Sequence, residues 1–261
     1  MRVVATHNKI FHADEVSAVA LLKIFVDENI IIKRVDHNTT DFKKYDMVID
    51  IGKKFDGVKF FDHHQNRGGK SSAGLIWEYV DLEKSYPRIS KLIRMIDAHD
   101  VGEIKAKAFE YPALIQCFNS KSIYDEVVQD VAFSRAVDFA MTVFCSLKDA
   151  QDELEKAKDI VASSYYFENN PKIIELESFT PHWSSYINGE LTPNVKAVVW
   201  QDVDDDNYKV KIAPKRLGSF ELNSKPLKQD STMEFVHSAG FFAVAKNKEV
   251  MLQYLEKNIK G

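Results

Sequence analysis

The stretch RVVATHNKIFHADEVSAVALLKIFVDENIIIKRV, residues 2–35, contains a strand, a helix and a second strand in succession. Residues 2–5 (RVVA) are predicted to form a short buried strand, and residues 14–26 carry apolar side chains at nearly helical spacing. Residues 30–35 are rich in β-branched side chains, which favour strands. Because strands that alternate with helices are typical of parallel sheets, we predict an α/β fold for the N-terminal part of the chain.

The same alternation continues downstream and then changes character. Further strands are predicted at 46–51 and 58–61, and helices at 73–80, 87–98 and about 122–166. From Pro171 onward the pattern predicts strands at 172–176, 195–200, 208–213 and 241–245, a hairpin turn at 202–206 and a closing helix at 249–259. We therefore predict an α/β domain with a mainly parallel sheet over 1–120, a helical connector over 121–167 and a smaller α+β domain over 168–261.

The composition is that of a globular protein, since 45% of the 261 residues are apolar and 28% are charged. No apolar run reaches the roughly 18 residues of a membrane span, so no membrane partner is expected. The first residues lack a signal-peptide pattern, and two cysteines without metal-site spacing indicate buried thiols in a reducing compartment, so we expect a cytoplasmic protein. The net charge of −4 argues against a broad basic surface for nucleic acid but allows a local phosphate site.

Histidines and carboxylates cluster in the first 100 residues, where six of the eight histidines lie. The clusters are the segment 7–15 (HNKIFHADE), Asp50, the segment 62–64 (DHH) and the segment 97–100 (DAHD). Each of the first three follows a predicted strand. Because ligands of open parallel sheets bind at the carboxyl ends of the strands, we expect these segments to converge on one crevice.

The residue types in these clusters indicate a metal site. Imidazole nitrogens together with carboxylate oxygens suit divalent ions such as Mn²⁺, Zn²⁺ or Fe²⁺. Two ions about 3.5–4 Å apart need several such ligands and usually a bridging carboxylate, and this chain has enough for two. Taken singly, Asp14 could begin a helix, Asp50 could end a strand in a turn, and His63 and His64 could occupy a solvated loop. Their joint occurrence at successive strand ends favours the metal site.

At this point the sequence resembles a known group of enzymes. The motifs are THNKIFHADEVSAVALL (6–22), VIDIG (48–52), FFDHHQ (60–65), SAGLIWE (72–78), IDAHDVG (96–102) and FVHSAGF (235–241). They resemble those of the DHH phosphoesterases, and more closely those of the melanocyte proliferating gene family of metal-dependent hydrolases, a UPF0160-type exonuclease family. Lys9 stands where that family usually has Gly, and Glu15 where Asp is common. Residues 220–235 lack an expected Arg and a Trp–Gly segment.

The resemblance implies a set of metal ligands. His7, His12 and Asp50 would hold one ion. Asp14, Asp50 and His63 would hold the other, with Asp50 as the bridge. The last ligand would be either Asp97 or Asp100, which share a helix face at this spacing, so the sequence does not choose between them.

The resemblance also implies catalytic roles beside the metals for Asp50, Asp62 and His64. Asp62 would orient a histidine through its second ring nitrogen. His64 would contact the substrate phosphate, because neighbouring side chains of an extended segment diverge and His63 takes the metal.

Further substrate-binding residues are expected after the DHH segment and in the C-terminal domain. Arg67 and Lys70 flank two glycines that could close over a phosphate, although a mobile surface loop is an equal alternative. His237 and Gly240 would contact the substrate's phosphate or nucleotide end, and the alternative is a plain turn before a strand. Trp183 and Trp200 could stack on a base, but core packing is the stronger interpretation.

The predicted function is a metal-dependent phosphodiesterase, an exonuclease that hydrolyses RNA or short oligonucleotides with a water activated by two ions. We expect two divalent ions, Mn²⁺ first, with Mg²⁺ or another divalent ion as alternatives. The other candidates are a manganese-dependent inorganic pyrophosphatase or exopolyphosphatase and a non-catalytic, metal-stabilised nucleotide-binding protein. A pyrophosphatase would need a dense Arg/Lys cluster, of which residues 215–225 (KRLGSFELNSK) are a weak version. The oligomeric state is open, a dimer included.

Overall fold

The computed structural model describes residues 2–65, 69–189, 194–219 and 221–259. The chain folds as two compact units, residues 1–151 and 152–261. Each contains a sheet and helices, and the predicted α/β class with a parallel N-terminal sheet is confirmed. The division falls within a long helix, Glu126–Ala162. The separation into three domains at 120 and 167 stays a prediction.

The first unit is built on a four-stranded parallel sheet. Its strands are β1 (Val3–His7), β2 (Ile31–Val35), β3 (Met47–Ile49) and β4 (Phe60–Phe61), in the order β2-β1-β3-β4. All three pairings are parallel. The carboxyl ends of all four strands therefore meet at one edge of the sheet, as the sequence predicted.

Helices complete the first unit: α1 (Ala13–Phe25), α2 (Ser72–Val80), α3 (Pro87–Asp100), α4 (Tyr111–Gln116) and α5 (Glu126–Ala162). The first ten residues of α1, Ala13 to Leu22, are all buried. Most are apolar and pack in the main core, which explains why apolar residues dominate this part of the helix. Asp14 and Glu15 are buried with them, and burial of two carboxylates is costly unless a positive charge compensates them.

The second unit contains a six-stranded mixed sheet and a closing helix. Its elements are β5 (Tyr165–Tyr166), β6 (Ile173–Glu175), β7 (Ala197–Gln201), β8 (Tyr208–Ile212), β9 (Phe235–Val236), β10 (Phe242–Ala245) and α6 (Lys248–Asn258), with strand order β5-β6-β7-β8-β10-β9. The strands β7 and β8 are antiparallel, so the predicted hairpin at 202–206 is confirmed. Trp183 and Trp200 are buried in an apolar cluster, which confirms core packing over base stacking.

The cysteines are not both buried as expected: Cys117 is exposed and Cys145 is half-buried. Cys117 follows the short helix α4, which the sequence pattern did not reveal, and its thiol donates to the carbonyl of Ala113. Within the described residues, none of the helices has the length and apolar character needed to cross a bilayer. The cytoplasmic location stays a prediction.

Candidate metal centre

The strand ends of the first unit bring the predicted ligands together. His7 is the last residue of β1, Asp50 directly follows β3, and His63 lies just after β4. Asp14 is in the first turn of α1, and Asp100 is the last residue of α3. Parallel pairing therefore places side chains from distant parts of the sequence at one edge of the sheet.

The first group of ligand atoms surrounds His7. Its Nε2 lies 3.0 Å from Oε1 of Glu15 and 3.2 Å from Oδ2 of Asp50. His12 Nδ1 is 4.0 Å from the same Glu15 oxygen. His7, His12 and Glu15 each offer a ligand atom within 4.8 Å of the other two.

The second group surrounds His63. Its Nε2 lies 3.0 Å from Oδ2 of Asp100, 3.3 Å from Oδ1 of Asp50 and 3.8 Å from Oδ2 of Asp14. One oxygen of Asp50 thus faces His7 and the other faces His63. This is the arrangement expected of a carboxylate that bridges two ions.

The donor set fits divalent cations. The Nδ1–H of His7 donates to the carbonyl of Asn8 at 2.9 Å, which leaves Nε2 facing two carboxylates. A nitrogen lone pair next to carboxylate oxygens requires a proton or a metal ion between them. Within the described residues, both oxygens of Asp14 and Oε2 of Glu15 are buried without a hydrogen-bond partner. Such uncompensated carboxylates cost several kcal/mol, which a bound cation would offset.

The excess of negative charge in the cluster also raises the pKa values of Asp14, His7 and His63. Burial, together with Asp50 and Glu15, raises the pKa of Asp14 well above its usual range. Burial lowers the pKa of His7, but hydrogen bonds to Asp50 and Glu15 outweigh it and raise that pKa to about 10. Burial also opposes protonation of His63, yet bonds to neighbouring carboxylates raise its pKa to about 10. The cluster holds positive charge strongly, whether as protons or as metal ions.

Metal loading is expected to stabilise the first unit. Mn²⁺ at about 100 times its dissociation constant should add about 2.7 kcal/mol, or about 5–10 °C in the melting temperature. Differential scanning calorimetry against a chelator-treated sample measures the shift. The variant Asp14→Asn removes a buried carboxylate of the second group and should lose much of the gain. A wild-type protein whose melting temperature is unchanged by Mn²⁺, Mg²⁺ and Zn²⁺ would contradict the assignment of these residues as metal ligands.

Two residues of the site adopt left-handed backbone conformations. Asp50 has φ of 55° and Lys9 has φ of 63°. The conformation costs a residue with a Cβ about 1–2 kcal/mol, although Asp tolerates it better than most. At Lys9, where the family resemblance leads us to expect Gly, two hydrogen bonds compensate this cost. The Lys9 carbonyl accepts from Arg34 at 2.6 Å and from Gln129 at 2.9 Å.

Buried Arg34 positions the loop that leads from His7 to His12. Its Nε also donates to the carbonyl of His7 at 3.2 Å. One guanidinium therefore bonds the carbonyls of both His7 and Lys9. Its Nη1 pairs with Asp130 of α5 at 3.1 Å. The guanidinium thereby links the loop that carries His7 and His12 to α5. Sequence inspection missed this role because Arg34 lies in a strand far from the motif.

The structure separates the two aspartates of α3. Asp100 joins the second ligand group, whereas Asp97 accepts hydrogen bonds from the backbone N–H and the hydroxyl of Ser71, at 3.0 and 2.6 Å. A Cβ on Gly74 would lie only 2.5 Å from the Asp97 carboxylate. Asp97 therefore caps the start of α2, and the Ser and Gly of that segment make room for it.

Substitution of Asp100 should affect metal binding, whereas substitution of Asp97 should affect stability. Asp100→Asn is expected to weaken the binding of one ion while the metal-free stability changes little. Asp97→Ala should keep both ions and destabilise the protein by about 1 kcal/mol, because alanine offers no acceptor to the N–H and hydroxyl of Ser71. Elemental analysis and urea unfolding measure the two effects. If Asp97→Ala loses an ion and Asp100→Asn does not, the two assignments must be exchanged.

Asp62 and His64 form a pair beside the ligands. Asp62 Oδ1 lies 2.7 Å from His64 Nδ1, and this bond raises the pKa of His64. The other Asp62 oxygen accepts from the backbone N–H of Lys53 at 2.6 Å. The His64 side chain is 54% exposed, and its Nδ1 is 3.5 Å from Asp50. The rings of His63 and His64 do not diverge as expected but lie 4.5 Å apart, because His64 begins a turn and the backbone there is not extended.

The other predicted substrate-binding residues are Arg67, Lys70, His237 and Gly240. Arg67 lies outside the described residues, and Lys70 forms an ion pair with Glu78 at 3.0 Å. In the second unit, His237 Nδ1 accepts from the backbone N–H of Ala239 at 3.1 Å. Gly240 has φ of 67°, and a Cβ there would lie 2.5 Å from Pro226, so close backbone packing requires glycine. The binding roles of all four residues stay predictions.

Glu15 and Ser72 also contact the ligand groups, although the sequence analysis assigned them no role. Glu15 joins the first group, and its Oε1 accepts from the backbone N–H of His12 at 2.9 Å. The Ser72 hydroxyl donates to Oδ1 of Asp50 at 3.1 Å. The position of Glu15 beside Asp14 was a signal, but helical neighbours usually point in different directions. No sequence pattern indicated Ser72.

A cavity of about 1030 Å³ opens over these residues. It is lined by ligands of both groups, including His7, His12, Asp50, His63 and Asp100, and by His64. This volume is at the upper end of the range for small-molecule sites. The ions and a substrate of moderate size would therefore share one accessible site.

The match to a known family extends over nearly the whole chain. Residues 3–259 match the model of an uncharacterised protein family, UPF0160. The chain belongs to the MYG1/UPF0160 family. A MYG1 protein of Saccharomyces cerevisiae is 26% identical over 98% of this chain and 95% of its own length. A MYG1 protein of Chlamydia pneumoniae is 35% identical over 56% of this chain and 54% of its own length. The predicted membership in the MYG1 family is confirmed.

Proposed function

We propose that this MYG1-family protein is a metal-dependent phosphodiester hydrolase that removes nucleotides from RNA or short oligonucleotides. The observation that carries the proposal is that the Asp50 carboxylate faces both ligand groups. Its Oδ2 lies 3.2 Å from Nε2 of His7, and its Oδ1 lies 3.3 Å from Nε2 of His63. The proposal includes a fold of the DHH phosphoesterase type, and the strand-end positions of these residues support it. Mn²⁺ is the proposed ion because it accepts both imidazole and carboxylate ligands.

Each group of residues has a defined task in this proposal. Two bound ions would supply Lewis-acid charge and a water of lowered pKa. Asp62 holds His64 in one orientation by its 2.7 Å bond to Nδ1. This leaves Nε2 of His64 to donate to a phosphoryl oxygen, where a charged donor stabilises developing negative charge. Ser72 fixes the rotation of the Asp50 carboxylate through its 3.1 Å hydrogen bond.

A substrate screen tests the proposal. The purified protein, loaded with Mn²⁺, is assayed with RNA oligomers, DNA oligomers, bis-p-nitrophenyl phosphate and pyrophosphate. We expect stepwise shortening of RNA oligomers and no turnover after chelation. Hydrolysis of pyrophosphate alone would favour the pyrophosphatase alternative. Two tightly bound ions without turnover of any substrate would favour a non-catalytic nucleotide-binding protein.

A further inference from the structure

The cavity over the metal centre has an apolar part that metal ligation does not explain. Ile10, Ile123 and Tyr124 line it, and we call these three residues the apolar rim. Tyr124 is 81% exposed and Ile10 is 44% exposed. Large apolar side chains exposed together next to a polar site are typical of ligand contacts.

Hydrogen bonds hold the two segments of the apolar rim together. The loop that carries Ile10 is tied to the segment before α5, because the Asn119 side chain bonds both the N–H and the carbonyl of Phe11, at 3.1 and 2.9 Å. Gln129 of α5 donates to the carbonyl of Lys9 at 2.9 Å. The rim is therefore part of the same folded unit as the metal ligands.

The turn that presents Tyr124 is itself ordered by hydrogen bonds. The N–H of Asp125 donates to the carbonyl of Ser122 at 3.0 Å, and the Asp125 carboxylate accepts from the N–H of Val128 at 3.1 Å. Asp125 thus caps the start of α5 directly after the exposed ring. The backbone that presents the ring is therefore ordered before a ligand binds.

We infer that the apolar rim binds the nucleobase of a nucleotide whose phosphate lies at the metal centre. The inference rests on the proposed function and adds which residues would bind the base of the nucleotide; inorganic pyrophosphate or polyphosphate would not use them. Every base has a π face that stacks on an aromatic ring, whereas inorganic phosphates offer only charge. Lys9 and Lys53 also line the cavity and could pair with any phosphate, but an inorganic phosphate would gain nothing from Ile10 and Tyr124.

A binding comparison tests the inference without requiring turnover. Isothermal titration calorimetry of the Mn²⁺-loaded protein measures the dissociation constants of AMP and of ribose 5-phosphate, which differ only by the base. Stacking on Tyr124 should make AMP bind about 5- to 150-fold more tightly. Tyr124→Ala should reduce AMP affinity to near that of ribose 5-phosphate, and Tyr124→Phe should keep the preference. Phe109→Ala removes another exposed ring, 88% exposed and outside the cavity lining, and should change nothing.

The outcomes separate this inference from the proposed function. Equal affinity of the wild-type protein for both ligands, no measurable AMP binding, or an unchanged preference in Tyr124→Ala would overturn the role of the apolar rim. A base preference that depends on Tyr124 supports it, even if the substrate screen finds no hydrolysis. Hydrolysis of RNA without a base preference would leave the proposed function intact and remove only the rim.

Discussion

Replacement of Asp50 by alanine should remove both metal ions and reduce hydrolysis by about 10³-fold or more. Asp50 has one oxygen toward each ligand group, with Oδ2 at 3.2 Å from His7 and Oδ1 at 3.3 Å from His63. Its loss leaves each group one ligand short, and bound ions contribute several kcal/mol to stabilisation of the transition state. Elemental analysis and the RNA assay measure the two losses.

The left-handed backbone conformation of Asp50 requires a matched control variant. Alanine is disfavoured at φ of 55°, so Asp50→Ala combines loss of a ligand with a conformational cost. Asp81 is an exposed aspartate with φ of 56° at the end of α2, and Asp81→Ala measures that cost away from the site. Asp50→Asn, which tolerates the conformation, should still lose the ions. An Asp50→Asn protein that retains two ions and normal turnover would exclude the bridging role.

His64→Ala should keep both ions and lose rate by about 10- to 150-fold. The Nδ1 of His64 is held by Asp62 at 2.7 Å, and its side chain is half exposed toward the cavity that the metal ligands line. A hydrogen bond from a charged donor to phosphate is worth about 1.5–3 kcal/mol, which corresponds to that loss in rate. Metal content and the RNA hydrolysis rate are compared with those of the wild-type protein.

His12 provides the contrast for His64. Its side chain is 48% exposed, similar to that of His64, and its ring nitrogen lies in a ligand group with His7 and Glu15. His64 also lies within ligand distance of Asp50 and His63, but its Nδ1 is bonded to Asp62 at 2.7 Å. His12→Ala should therefore weaken metal binding, and excess Mn²⁺ should restore part of the activity. Excess Mn²⁺ should not rescue His64→Ala. Loss of an ion from His64→Ala, with rescue by Mn²⁺, would make His64 a metal ligand.

The longer elements of the fold were predictable because their hydrophobic patterns are strong. The strand–helix–strand unit of residues 2–35 appears as β1, α1 and β2, with bounds within about two residues of those predicted. Shorter elements were missed, among them α4, β5 and β9, since two to six residues carry too little periodicity to be recognised. The tertiary packing around them, not their own sequence, keeps them ordered.

The sequence by itself determined which strand ends carry histidines and carboxylates, and parallel pairing then required His7, Asp50 and His63 to meet at one edge. Only the tertiary structure decided between Asp97 and Asp100. They are three residues apart on α3, a rise of about 4.5 Å along one face, and either carboxylate has the chemistry of a ligand. The placement of α3 puts Asp97 against the start of α2 and Asp100 at 3.0 Å from His63. Periodicity specifies a face of a helix, but the position along the axis that meets a partner depends on packing between elements distant in sequence.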